Sequence, residues 1–128
     1  MATRRRRDVA PLAVPDEIVR EAKKDRLLGP RVYLNDRRRV ALMCDGAAVG
    51  FVTPHETASG WRAGPIFVLP EFRGRGLVEA FYAARADRTW VAFIPSEKKA
   101  SLAMHTRAGF VKWKSSHHGL WMRKDASK

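Results

Sequence analysis

Phe67-Val-Leu-Pro-Glu-Phe-Arg-Gly-Arg-Gly76-Leu-Val-Glu-Ala-Phe-Tyr82 is the stretch on which the reading of this chain turns. An apolar, β-type run stops at Pro70, a turn with two glycines and two arginines follows, and Leu77 opens a helix. Glycine takes left-handed backbone angles and allows close approach of a ligand, so Gly74 and Gly76 suit a tight turn around an anion. The first helical turn carries N–H groups without intrahelical acceptors, and these point at whatever lies in front of it. Arg73 and Arg75 add charged donors. Strand, glycine-rich turn and helix start together predict a phosphate cradle, although an ordinary basic turn has the same composition.

Charge supports an anionic partner. The 128 residues carry 25 Lys and Arg against 13 Asp and Glu, a formal net charge of +12. Such an excess suits coenzyme phosphates, nucleic acid or an acidic protein surface. A hydrophobic fraction of 45% excludes a disordered tail, and the length suits one domain. We expect a basic flexible arm over residues 1–8, with Arg4 to Arg7 in it, and a single domain over residues 9–128. Cys44 is the one cysteine, which excludes an internal disulfide or a cysteine-based zinc site and suits the cytoplasm. No apolar run approaches membrane-spanning length, and the arginines after Met1 precede no hydrophobic region, so neither membrane nor secretory signal is expected.

Along the chain, Ala10 to Val14 reads as a short strand and Pro15 to Leu28 as a helix, with proline and two acids at its start and Gly29-Pro30 as its stop. Val40 to Thr53 reads as a hairpin turning at Asp45-Gly46. Pro54 to Gly60 reads as a loop and Gly64 to Leu69 as a strand. A helix from Gly76 to Arg85 is followed by the continuous apolar strand Thr89 to Ile94, of the kind covered on both faces. Ser96 is placed to cap the next helix, and Gly109 to end it. Val111 to Lys114 reads as a half-buried strand and Leu120 to Met122 as the last one. The order is β-α-β-β-β-α-β-α-β-β, an α/β domain with a mixed sheet.

The cradle segment and Ser101-Leu-Ala-Met-His-Thr-Arg-Ala-Gly-Phe110 together resemble the two signature motifs of the GNAT family of N-acetyltransferases, which bind acetyl-coenzyme A. In that family the turn reads Gln/Arg-x-x-Gly-x-Gly/Ala. Arg73 and Gly76 match, while Val78 stands where Gly or Ala is usual, which implies less room beside the pyrophosphate. The resemblance implies that the backbone of Arg73, Gly74, Arg75, Gly76, Leu77 and Val78 holds the pyrophosphate. It further implies that Phe67, Val68 and Leu69 lend backbone groups to the pantetheine arm. The fold it implies is a mixed, mostly antiparallel sheet with helices on both faces and a splayed groove between the fourth and fifth strands. The second motif often reads Asn-x-x-Ala/Ser-x-x-x-Tyr/His-x-x-x-Gly-Phe. Ser101, His105, Gly109 and Phe110 match it, and Lys98 stands at the asparagine. The match gives Ser101 a place beside the coenzyme and His105 the role of general acid toward its sulfur. A histidine packed on a helix face would look the same in sequence.

For the base, His55 and Glu56 in the Pro54–Gly60 loop are the candidates, against the reading of two exposed polar residues. Glu71 is expected to pair with the nearby arginines and Glu79 to be solvated. His117-His118, without Cys or carboxylate beside it, gives no reason to expect a metal. The charge disfavours a small cationic acceptor and favours nucleic acid or a nucleic-acid-associated protein. Trp61, Trp90, Trp113, Trp121, Tyr33 and Tyr82 offer aromatic surfaces on which an unpaired base could stack, though strand positions make most of them core. The short basic chain and its cradle also resemble the phage Mom proteins, GNAT-like enzymes that modify adenine in DNA. The competing expectation is a non-catalytic nucleic-acid binder on a degenerate GNAT fold.

Overall fold

A computed structural model of the chain describes residues 13–127. In order it contains α1 (Asp16–Lys23), β1 (Val40–Cys44), β2 (Ala47–Val52), β3 (His55–Thr57), β4 (Gly60–Arg62), β5 (Phe67–Val68), α2 (Leu77–Ala83), β6 (Trp90–Pro95), α3 (Lys99–Arg107), β7 (Val111–Ser116) and β8 (Gly119–Lys124). Short 3-10 turns lie at Gly29–Arg31 and Pro70–Phe72. The strands form two sheets, β1-β2-β5 and β3-β4-β6-β8-β7. All pairings are antiparallel except β4 with β6. The predicted arm lies outside the described residues, as does most of the predicted first strand; Ala13 and Val14 are not in a strand. No helix among the described residues is long and apolar enough to cross a membrane.

The β1–β2 hairpin forms as its sequence predicts, with Asp45 at φ 51° and Gly46 at φ 82°, a pair of left-handed residues that matches the twist of the strands. Residues Val49 to Val52 of β2 are all buried, because successive side chains face two covered sides. Phe51 packs with Phe67, Val32 and the α1 residues Ile18, Val19 and Ala22. Val52 joins Leu42, Val78, Phe81, Tyr82, Trp90, Ile94, Phe110 and Met122 in the larger core on the opposite side.

Four local expectations change. The helix α1 ends at Lys23 rather than Leu28, because the Asp25 carboxylate accepts the N–H groups of Leu27 and Leu28 at 3.0 and 2.8 Å and turns the chain early. The Pro54–Gly60 loop is instead the β3–β4 hairpin, with Thr57 Oγ1 donating to Gly60 O at 2.6 Å across its turn. Ser96 does not cap α3: its N–H donates to His118 O, and Lys98 takes the cap position without a side-chain bond. Finally, β7 is exposed along its whole length, with Val111 65% exposed, since it is an edge strand paired only with β8. The C-terminus of α3 is as read. Gly109, at φ 102°, donates to Thr106 O, and Phe110 donates to His105 O, the paired bonds that close a helix on a left-handed residue.

Candidate active site

The site begins where two strands part. Trp61 of β4 is paired in parallel with Trp90 of β6. One residue past β4 the chain turns away from β6, as Ala63 O accepts Thr53 N–H at 2.7 Å and Pro65 O accepts Thr53 Oγ1 at 2.9 Å. The continuation, β5, then pairs with β2, while β6 pairs with β8. The predicted strand from Gly64 thus shortens to Phe67–Val68, and the predicted groove is the gap between β5 and β6. This cleft has a volume of about 640 Å³, and Val68, Arg73, Gly76, Ile94, Lys98 and Ser101 are among its walls.

At its mouth stands the cradle. Gly74 and Gly76 have φ 78° and 77°, and a Cβ added at either would meet nothing within 4 Å. Glycine is required there by the backbone angle, and the space above is open to a ligand. The backbone N–H groups from Gly74 through Glu79 donate to no acceptor among the described residues; the first intrahelical bond is Ala80 N–H to Gly76 O. A row of unpartnered donors at the start of a helix is an anion-binding arrangement. Arg75 stacks on Phe72, its guanidinium carbon 4.9 Å from the ring centre, and donates to Glu71 O. The Glu71 contact is therefore made by its carbonyl and not by an ion pair of its carboxylate. Arg73 Nε donates to Val68 O at 2.7 Å, bracing the turn against β5. Leu69 N–H donates to Val49 O, so by strand alternation the peptide groups of Val68 face away from β2, toward the cleft. Phe67 contributes a side chain buried under α1.

Val78 is one of the walls of the cleft. Its side chain is 6% exposed and belongs to the core beneath the cleft. Glu79, expected to be solvated, pairs with Arg107 at 3.2 Å.

His105 is placed differently from a free general acid. It is 3% exposed. Its Nδ1–H donates to Ser101 O at 2.8 Å, with Ser101 Oγ also 3.3 Å away. Its Nε2 lies 3.3 Å from the Tyr82 hydroxyl. Nδ1 must carry the proton because it faces a carbonyl, which makes Nε2 the acceptor of the Tyr82 O–H. Burial lowers the pKa of His105, outweighing the bond to Ser101, and raises that of Tyr82. Both groups are therefore held neutral at pH 7. The proton beside the cleft belongs to a Tyr82–His105 pair, not to an imidazolium. Tyr82 carried no signal in sequence beyond its aromatic character, since only folding brings α2 against α3.

His55 and Glu56 do not reach the cleft. The β3–β4 hairpin carries them one strand beyond β4, to the edge of the sheet, where His55 Nδ1–H donates to Thr53 O at 2.8 Å. Nor are they walls of the cleft, whose acidic residues are Asp25, Glu79 and Glu97. The narrow end of the cleft holds arginines instead. Arg62 and Arg31 line it, and Arg62 is pulled below the ordinary arginine value by burial first and by the charge of Arg31 second. No carboxylate forms an ion pair with either among the described residues.

No family model matches this sequence, and no curated protein matches it. Solved structures do resemble it in three dimensions. Ard1 from Thermoplasma volcanium superposes with a TM-score of 0.62 at 12% identity, over 91% of this chain and 97% of that one. The ribosomal-protein-S18-alanine N-acetyltransferase of Escherichia coli gives 0.55 at 16% identity, over 73% of each chain. The PaiA N-acetyltransferase of Thermoplasma acidophilum, solved with coenzyme A, gives 0.53 at 13% identity, over 65% of this chain and 57% of that one. At such identities the likeness is one of fold. Two strands that start paired and then part, with a glycine cradle at the mouth between them, are the fold of the GNAT N-acetyltransferases, and this chain adopts it.

Proposed function

We propose that the chain is an N-acyltransferase that moves an acetyl or related acyl group from coenzyme A to an amine on a macromolecule, with nucleic acid as the acceptor class. The observation that carries this reading is the row of unpartnered N–H groups from Gly74 to Glu79 at the mouth of the β5–β6 cleft. Those donors, with Arg75 and Lys98 nearby, fit a pyrophosphate. The Val68 peptide fits the amide-bearing arm behind it. Acetyl-coenzyme A, when bound, would supply an activated thioester.

Acyl transfer forms a C–N bond, breaks a C–S bond, removes one proton from the amine and returns one to sulfur. We assign the proton returned to sulfur to the Tyr82 O–H, and the proton lost by the amine restores the Tyr82–His105 pair. A basic amine is cationic at pH 7 and would be repelled by Arg62 and Arg31, whereas the exocyclic amine of a nucleobase is already neutral. The cationic narrow end therefore favours a nucleobase amine and lessens the demand for a base, which suits the withdrawal of His55 and Glu56. A Mom-like modification of DNA adenine is one form of this reading. Residues 9–128 act in it as one unit, with residues 1–8 adding charge.

Calorimetric titration of acetyl-coenzyme A into nuclease-treated protein tests it. Micromolar binding is expected, lost in Gly76→Glu and weakened roughly tenfold in Arg75→Glu, by removal of a charged contact of about 1.5 kcal/mol. Unaltered melting of Arg75→Glu would show that the loss is local. Absence of binding in the native protein would overturn the reading. The closed Tyr82–His105 pair favours one alternative, a nucleic-acid binder without turnover. Mass analysis of nucleosides from DNA exposed to the protein with acetyl-coenzyme A separates the two.

A further inference from the structure

The sheet β3-β4-β6-β8-β7 has two unlike faces. One, bearing Trp90, Ile94, Leu120 and Met122, is core or packed against it. On the other, neither hydrophobic cluster includes Phe93, Trp113 or Trp121. The register brings these together. Phe93 lies opposite Trp121, and Trp121 opposite Lys114. A register shift between Lys112 and Lys114 makes Trp113 an extra residue in β7, and its ring meets that of Trp121 at 6.5 Å while Phe93 meets Trp121 at 5.2 Å. Trp113 is 37% exposed.

Cations are interleaved with the rings. Lys114 Nζ is 4.5 Å from the centre of Trp113 and 5.7 Å from that of Trp121; the Arg62 guanidinium is 5.2 Å from Trp121, and that of Arg123 is 5.6 Å from Trp113. Among the described residues only Arg123 of these cations has an acidic partner, Asp125 at 2.6 Å. Phe93 and Arg62 are also walls of the cleft, so this face runs into its narrow end.

We infer that this face docks an unpaired nucleic-acid strand, with bases stacked on Trp113 and Trp121, phosphates on Lys114 and Arg62, and one base directed past Arg62 into the cleft. The exposed Lys114 contact is weaker than base stacking, so a base displaces Lys114 from the Trp113 ring to its own phosphate, while the half-buried Arg62 stays against Trp121 at the entrance to the cleft. An acidic peptide would use the cations and leave the three rings idle, and the rings are what distinguish this face from the rest of a basic surface. The last element, delivery into the cleft, rests on the acyl-transfer reading; the docking does not.

A thymidine oligonucleotide of about ten nucleotides, of the order of one stacking platform, tests docking alone, because thymine has no exocyclic amine to accept an acyl group. Tryptophan quenching and anisotropy on the full chain should show binding that weakens steeply with salt. Trp113→Ala and Trp121→Ala should each weaken it roughly five- to a hundredfold, and Lys114→Glu should reduce the salt slope by about one. Trp113 and Lys114 lie on the exposed edge strand, so their variants keep the test alive if Trp121→Ala fails to fold. Wild-type affinity in Trp113→Ala together with an unchanged salt slope in Lys114→Glu would overturn the inference. So would equal loss of heparin binding and oligonucleotide binding in Trp113→Ala. Oligonucleotide binding without coenzyme binding would remove the acyl-transfer reading and leave the docking face; the converse would do the reverse.

Discussion

At the mouth of the cleft the available donors are chiefly backbone N–H groups, from Gly74 to Glu79, presented by a turn that Arg73 braces and to which Arg75 adds one charged side chain. At the narrow end the available groups are side chains, Arg31 and Arg62, with the rings of Phe93, Trp121 and Trp113 beyond. A backbone cradle reads only charge and shape, which suits an invariant group such as the pyrophosphate of the proposed reaction. A side-chain face is specific to its own residues, so under the proposed function it is the end that would choose the acceptor. The two ends share a single foundation, since Trp90 packs against Phe81 and Tyr82 of α2 and against Trp61 of β4.

Breaking that foundation should abolish the contrast altogether. Trp90 is fully buried, and Trp90→Ala should cost about 3–5 kcal/mol, read in a denaturant melt, with both ends lost together. Retained coenzyme affinity alongside lost oligonucleotide affinity would show the two ends to be independent. Val78→Ala is sharper. It should cost about 2 kcal/mol from lost burial and leave acetyl-coenzyme A affinity unchanged, because the side chain belongs to the core. A gain in affinity by calorimetry would mean that Val78 does narrow the cradle. Tyr82→Phe strips the partner from His105 Nε2 and should cost about 1 kcal/mol. If the pair returns the proton, kcat should fall while KM holds. A fall in stability alone would make the pair structural.

The smallest effect concerns pH. The folded-state pKa of His105 lies below its ordinary value of 6.5 because of burial. Between the two values the unfolded chain binds the extra proton. Stability from this residue is thus complete above pH 6.5 and is lost as pH falls toward and through the folded value. Melting curves at stepped pH should show that slope in the native chain and less of it in His105→Gln.

How much of this was legible can be judged from particular residues. The Asp45-Gly46 turn, the Gly109 helix stop and the glycine turn at Gly74 and Gly76 ahead of a helix all came through, since each is fixed by the conformational limits of a few adjacent residues. The end of α1 did not, because the Asp25 side chain outcompeted the helix for two N–H groups. Nor did β3, whose His55 and Glu56 were assigned to a loop beside the acceptor. Their sequence carries no strong strand pattern, and pairing with β4 alone moves them to the sheet edge.

The sequence by itself determined the mouth of the cleft, because a glycine turn and a helix start are local and their N–H groups point outward whatever else the chain does. Only the tertiary structure decided the rest. It buried His105 against Tyr82, took Val78 into the core, and separated Trp90, which is core, from Trp121, which is not. Those outcomes depend on which face of which strand meets which helix. A bulge at Trp113 or the register in which β6 pairs with β8 settles that between residues far apart in the chain, where no short motif can record it.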